Sequence, residues 1–127
     1  MQLIGAELSR VEPGVVEISL PYRAELTQQN GYLHAGIVTT IADSACGYAA
    51  YSLMPAGSEV LSVEFKVNLL RPAKGDKFRA RAEVIKPGKT LTVVKADVFG
   101  LSQAKEETLV ASMLGTMFCI RTATTEA

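Results

Sequence analysis

Asp43 is a carboxylate placed where a charge is costly. It lies between Ala42 and Ser44, with Ala45, Cys46 and Gly47 following, in a stretch of helical periodicity built from apolar and small residues. An ionised carboxylate on a buried helix is destabilising unless it is paired, hydrogen-bonded or wetted by a cleft. No Lys or Arg occurs from Ala24 to Phe65, so no i±4 salt bridge on the helix neutralises it. Two readings stand. Either Asp43 sits on a solvated face or pairs with a distant strand, or it is a carboxylate kept for chemistry.

The residues just upstream bear on that choice. His34 is the chain's one histidine, and Ala35-Gly36 follow it at the start of the helical stretch. A histidine there caps the helix or serves as a polar surface group; it also stands beside an anion-favouring site. The first N–H groups of a helix have no internal partner, and the dipole favours negative charge near them. Such a site suits the oxyanion of a carbonyl under attack. Gln28, Gln29 and Asn30 precede His34. Their amides either cap the loop or hold a carbonyl or a water. A carboxylate, an oxyanion site and polar orienters are the parts of an acyl-transfer centre.

Other chemistries find little material. Gly-x-Ser-x-Gly is absent, as are the phosphate-cradling glycine loops. Two cysteines and one histidine lack ligand-pair spacing, so no metal site is expected. Cys46 and Cys119 read as buried thiols of a cytoplasmic protein. Thirteen basic residues balance thirteen acidic ones, and the charges are interspersed, which argues against a nucleic-acid face. No basic flank leads an apolar run at the start, and no apolar run is long enough to cross a bilayer, so neither a signal peptide nor a membrane partner is expected.

The elements that must position these groups follow from periodicity. Ile4, Ala6 and Leu8, then Val16, Ile18 and Leu20, alternate around a turn at Glu12-Pro13-Gly14 and predict a hairpin. Residues 23–35 read as a loop. Gly36–Met54 reads as one helix of about five turns, apolar enough to be buried on most sides and ended by Pro55-Ala56-Gly57. Leu61–Leu69 alternates cleanly. Turns at Arg71–Gly75 and Lys86–Lys89 separate strands through Phe78–Val84 and Leu91–Phe99, and a long strand runs from Thr108 to about Arg121. That last strand is apolar on both faces, as in a central strand. Short connections make the late strands antiparallel neighbours. Thr122–Ala127 reads as a frayed tail. The size fits a single domain over 1–127. One sheet around one helix leaves its outer face uncovered, so a second subunit is expected to cover it.

The segment Gln28–Gly36 with Ile41-Ala42-Asp43-Ser44-Ala45 resembles the signature of the hotdog superfamily, in its PaaI-like and 4-hydroxybenzoyl-CoA thioesterase branch. Leu61–Pro72 is similar to the strand that follows there, and Pro87–Thr90 to the next turn. The resemblance implies an α+β hotdog fold, an antiparallel sheet of five to six strands wrapped around one long central helix. It implies a single hotdog domain that hydrolyses an acyl-CoA thioester to CoA and a free carboxylic acid.

By that resemblance Asp43 is the nucleophile or general base, and Gln28 places the carbonyl or the water. The backbone at Ala35 and Gly36 is the oxyanion donor, and His34 supports the loop. Ser62 matches a polar position that in some members comes across the dimer interface to assist water. Asn30 and Gly31 belong to the substrate loop, and Asn68, Arg71, Lys89 and Thr90 lie near segments that bind the CoA nucleotide in relatives. The implied protein is cytoplasmic, a homodimer or homotetramer, with no cofactor beyond the CoA of its substrate.

Two departures stand out. The usual His-Gly-Gly is His34-Ala35-Gly36, and the place of a helper hydroxyl four residues after the acid holds Gly47. Ser62 therefore becomes the better helper, with Ser44 a further possibility although i+1 points away on a helix. Alternatives are a non-catalytic acyl-CoA-binding module, a hydratase of the same fold, or a purely structural subunit.

Overall fold

A computed structural model describes residues 1–104 and 106–121; the expectation for Thr122–Ala127 lies outside these residues. The first hairpin is β1 (Glu7–Glu12) and β2 (Val15–Pro21), with Gly14 at φ 78° in its turn. The helix α1 (Ala35–Tyr51) follows, then β3 (Ser58–Leu69), β4 (Lys77–Lys86), β5 (Leu91–Leu101) and β6 (Glu107–Arg121). The strands form one antiparallel sheet in the order β1-β2-β4-β5-β6-β3. α1 lies against its inner face, touching β2 to β6. This is the expected sheet around one helix.

Small residues make the close approach of helix and sheet. Ala42, Ala45, Cys46 and Ala49 of α1 are fully buried, as are Ala80 and Ala82 of β4 and Ala96 of β5. Phe78, Ile18, Leu20, Ile41 and Met113 are among the largest buried side chains of the core. Alternation is strict on β2 and β5 and over Phe78–Ala82 of β4, where every second side chain is buried. Both cysteines are buried and free.

Several expectations need correction. α1 starts at Ala35 and stops at Tyr51, three residues short of Met54. Ser52 ends it: its hydroxyl donates to the Ala49 carbonyl at 2.7 Å and accepts the Gly14 N–H at 2.8 Å, tying the end to the β1–β2 turn. α1 is covered on its sheet side only. Gly36, Thr40, Tyr48 and Tyr51 are exposed, with Asp43, Ser44 and Gly47 half-buried between them. The loop before α1 holds a 3-10 turn at Ala24–Leu26 and a bridge between Thr27 and Leu33. Ile4 lies in another such turn, and β1 is exposed throughout because it is an edge strand.

The largest correction concerns β3. It pairs with β6 instead of β4 and forms the other edge of the sheet. Residues 70–76 therefore do not make a hairpin. They cross the end of the sheet over β6 and β5, three strand spacings or about 14 Å, within reach of seven extended residues. Hydrogen bonds follow that path: Leu70 N–H to Val110, then Asp76 N–H to Leu101. Gly100 is required beneath it, since a Cβ there would meet the Lys74 carbonyl at 2.3 Å. β6 has its buried face on α1, but Leu114 and Phe118 on the other face are uncovered in one chain.

Candidate active site

Asp43 and Ser62 meet. The Ser62 hydroxyl donates to Asp43 Oδ1 at 2.6 Å, and its oxygen lies 3.4 Å from Met117 Sδ. The backbone explains the encounter: Asp43 is on the half-covered flank of α1, and a register shift between Ser62 and Glu64 bends the facing β3. Ser62 belongs to the same chain as Asp43, so the polar helper does not have to come across an interface. No ion pair holds Asp43 among the described residues; the reading of a carboxylate locked to a strand cation is not what is found. Asp43 opens into a cavity of about 300 Å³ with Ser44, Gly47, Tyr48, Val60 and Met117. Ser44 thus borders the same cavity, contrary to its expected direction.

The start of α1 builds a second cavity. His34 is the N-cap, its Nδ1 accepting the Gly36 N–H at 2.9 Å while its carbonyl accepts from Ile37 and Val38. That arrangement puts the imidazole proton on Nε2, pointing away from the cap. It also corrects the expected role of Gly36, whose N–H is already used. The donor left for an oxyanion is the Ala35 N–H, which has no hydrogen-bond partner among the described residues and borders this cavity of about 410 Å³.

Gln28 lines the same space. Its Oε1 accepts N–H groups from Asn30 and, at 3.4 Å, Tyr32, so the amide oxygen caps its own loop and the NH2 group is left to donate outward. Gly31 takes the positive φ of that turn. Arg71 stands at the far side: its Nη1 donates to the Leu109 carbonyl at 2.9 Å, and no carboxylate pairs with it among the described residues.

Past Arg71, Tyr32 and Pro72 the space continues into a third cavity of about 650 Å³, which includes Tyr22, Gly31 and Lys74. Asn68 lies outside both the Ala35 and Asp43 cavities, as do Lys89 and Thr90. The Thr90 carbonyl instead accepts from Cys119 N–H at the opposite end of the sheet. Val60, Lys74 and Met117 were missed in the sequence. They are ordinary apolar or exposed positions until the fold gathers them.

One chain does not assemble the whole expected centre. Ala35 and Asp43 lie eight residues apart on α1, roughly 12 Å along the axis. The oxyanion donor with Gln28, and the carboxylate with Ser62, therefore occupy two separate cavities. Cys46, next to Asp43 on the core side, has its thiol pushed up to about 12 by burial and by the Asp43 charge, so it is no nucleophile.

Comparison with known proteins gives consistent matches. The thioesterase superfamily is matched over residues 30–107. A solved thioesterase family protein from Silicibacter pomeroyi shares 51% identity, covers 95% of this chain and 88% of its own, and superposes with a TM-score of 0.93. A Saccharolobus solfataricus protein carrying an esterase name is 32% identical over 97% of this chain and 79% of its own length. Human acyl-coenzyme A thioesterase 13 is 30% identical over 73% of this chain and 66% of its own length.

Proposed function

Because the chain belongs to the thioesterase superfamily and is a thioester hydrolase of the hotdog fold, we propose that it cleaves acyl-CoA with Asp43 as the catalytic carboxylate. The observation that carries this reading is the Asp43–Ser62 pair: a half-buried carboxylate with no cation on it among the described residues, held through Oδ1 at the border of a cavity. The other carboxylate oxygen supplies the electron pair, either to the thioester carbon directly or to a water whose proton it takes. The C–S bond then breaks and CoA leaves as the thiol. The acid's second oxygen comes from water in the water route, and from Asp43 in the direct route, where water then hydrolyses the mixed anhydride at the Asp43 carbonyl and replaces that oxygen. No cofactor enters this reaction. Single turnover in heavy-oxygen water separates the two routes, since direct attack puts the label into Asp43 and water attack puts it only into the product.

The oxyanion formed on the way needs a donor, and the Ala35 N–H with the Gln28 amide is the fitting one. Those groups reach Asp43 if a second copy lies antiparallel. Ala35 and Asp43 are symmetric about Thr39 on α1; on β3, Ser62 beside Asp43 and Leu69 beside Ala35 are symmetric about Phe65 and Lys66. One two-fold axis through both points exchanges the two half-sites. Two features support such pairing. β3 is a twelve-residue edge strand carrying exposed Leu61, Val63, Phe65 and Leu69, and the outward flank of α1 is lined by Gly36, Thr40, Ser44 and Gly47. The homodimer then has two composite sites, with Arg71 at the mouth to receive the CoA phosphates.

Asp43→Asn is the test. Thiol release from the best acyl-CoA falls at least about a hundredfold in kcat, the scale of a lost acid–base group. A kcat within about threefold of the parent, roughly 0.7 kcal/mol of barrier, removes Asp43 from the chemistry.

A further inference from the structure

Tyr48 stands between two cavities. It borders the Asp43 cavity of about 300 Å³, and it borders another of about 690 Å³ formed with the N-terminal segment, where Met1, Leu3, Ala6 and Leu8 supply apolar lining. Leu3 is 91% exposed and Leu8 is 43% exposed, so this second space, which Gln2 and Glu7 also border, holds apolar side chains that nothing among the described residues covers. Tyr48 itself is 42% exposed on α1, five residues or about one and a half turns beyond Asp43.

The two ends of the proposed site differ in polarity. Beyond Ala35 lies Arg71, a guanidinium without a carboxylate partner among the described residues, which suits an anionic ligand part. On the Asp43 side the walls are Gly47, Val60, Met117 and the Tyr48 ring, with no cation among them. A thioester whose CoA points toward Arg71 therefore sends its acyl chain the other way, along Val60 and Met117 to Tyr48. Resting on the thioesterase reading above, we infer that Tyr48 is the length-determining residue for the acyl group: its ring closes the Asp43 cavity against the space under Met1–Leu8. The Asp43 cavity alone is at the small end of ligand sites, whereas joined to the space behind Tyr48 it takes a much longer chain.

The substitution Tyr48→Ala opens the wall, and kcat/KM is measured by thiol release over straight-chain acyl-CoAs from acetyl to palmitoyl. The ratio of the longest to the shortest accepted chain rises at least about tenfold, carried in KM and kcat together, because added methylenes then find apolar cover. Tyr48→Phe keeps the parent profile, and Tyr48→Trp shifts it toward shorter chains. An unchanged length profile in both the Ala and Trp variants, in proteins that still hydrolyse acyl-CoA, overturns the role of Tyr48 and leaves the thioesterase reading standing. A parent protein that releases no thiol from any acyl-CoA overturns both.

Discussion

Asp43 and Cys46 show how one environment treats two acids differently. Three residues separate them on α1, which puts both on adjoining flanks of the helix, Asp43 toward a cavity and Cys46 fully inside the core. Ser62 satisfies the Asp43 charge with a hydrogen bond; the Cys46 thiol has only burial and a neighbouring negative charge, and both disfavour the thiolate. Its folded value is raised from the ordinary 9.0 to about 12, so folding holds that proton more tightly than the unfolded chain does. The resulting stability is complete below pH 9 and is lost as pH rises toward 12. Denaturant titrations across that window should show alkaline loss of stability that Cys46→Ala reduces. Equal alkaline slopes in the two proteins would refute the assignment. Native protein should also leave Cys46 unmodified by thiol reagents at neutral pH.

At the scale of the element, α1 is started by a histidine that serves as a cap. His34 Nδ1 satisfies the Gly36 N–H, and its carbonyl takes the next two donors, which leaves the Ala35 N–H exposed for a ligand. His34→Ala removes the side-chain acceptor and should lower stability by about 1 kcal/mol, read as a shift in the denaturation midpoint. His34→Asn keeps an acceptor within reach and should recover most of that loss. If Ala and Asn variants are equally stable, the imidazole is not acting as the cap. The sequence pointed to a helix starting about here and left His34 as a cap or a polar surface group. It did not show which of the first N–H groups the cap consumes, because that depends on the side-chain rotamer.

Across the whole molecule the outer face of the sheet divides. Glu17 on β2 is ringed by Arg10, Arg79 and Arg81, a solvated network, while Leu61, Phe118 and Leu91 align across β3, β6 and β5 at the other side. The apolar part and the free edge of β3 lie together, which is where a second copy gains most. Mixing two inactive variants tests the shared site. Asp43→Asn and Gln28→Ala damage different copies in each site, so a mixed dimer keeps one undamaged centre. Refolding them together should restore thiol release well above either alone. No recovery from a mixture shown to contain heterodimer would mean that both groups serve one chain's own site.

Periodicity was enough to determine the helix and the alternating strands, and local composition excluded a cation for Asp43 on its own helix, because burial patterns and local spacing are written residue by residue. The resemblance singled out Ser62, which the fold brings to 2.6 Å from Asp43, and Gln28, which lines the separate cavity at Ala35. Strand order was decided only by the tertiary structure: a seven-residue connection after β3 looks like a turn, yet here it crosses two strands and leaves β3 on the edge. The separation of Ala35 and Asp43 into two cavities came from the same level. A helix advances about 1.5 Å per residue, so groups close in sequence are held apart along its axis, and only packing determines what lies opposite each of them.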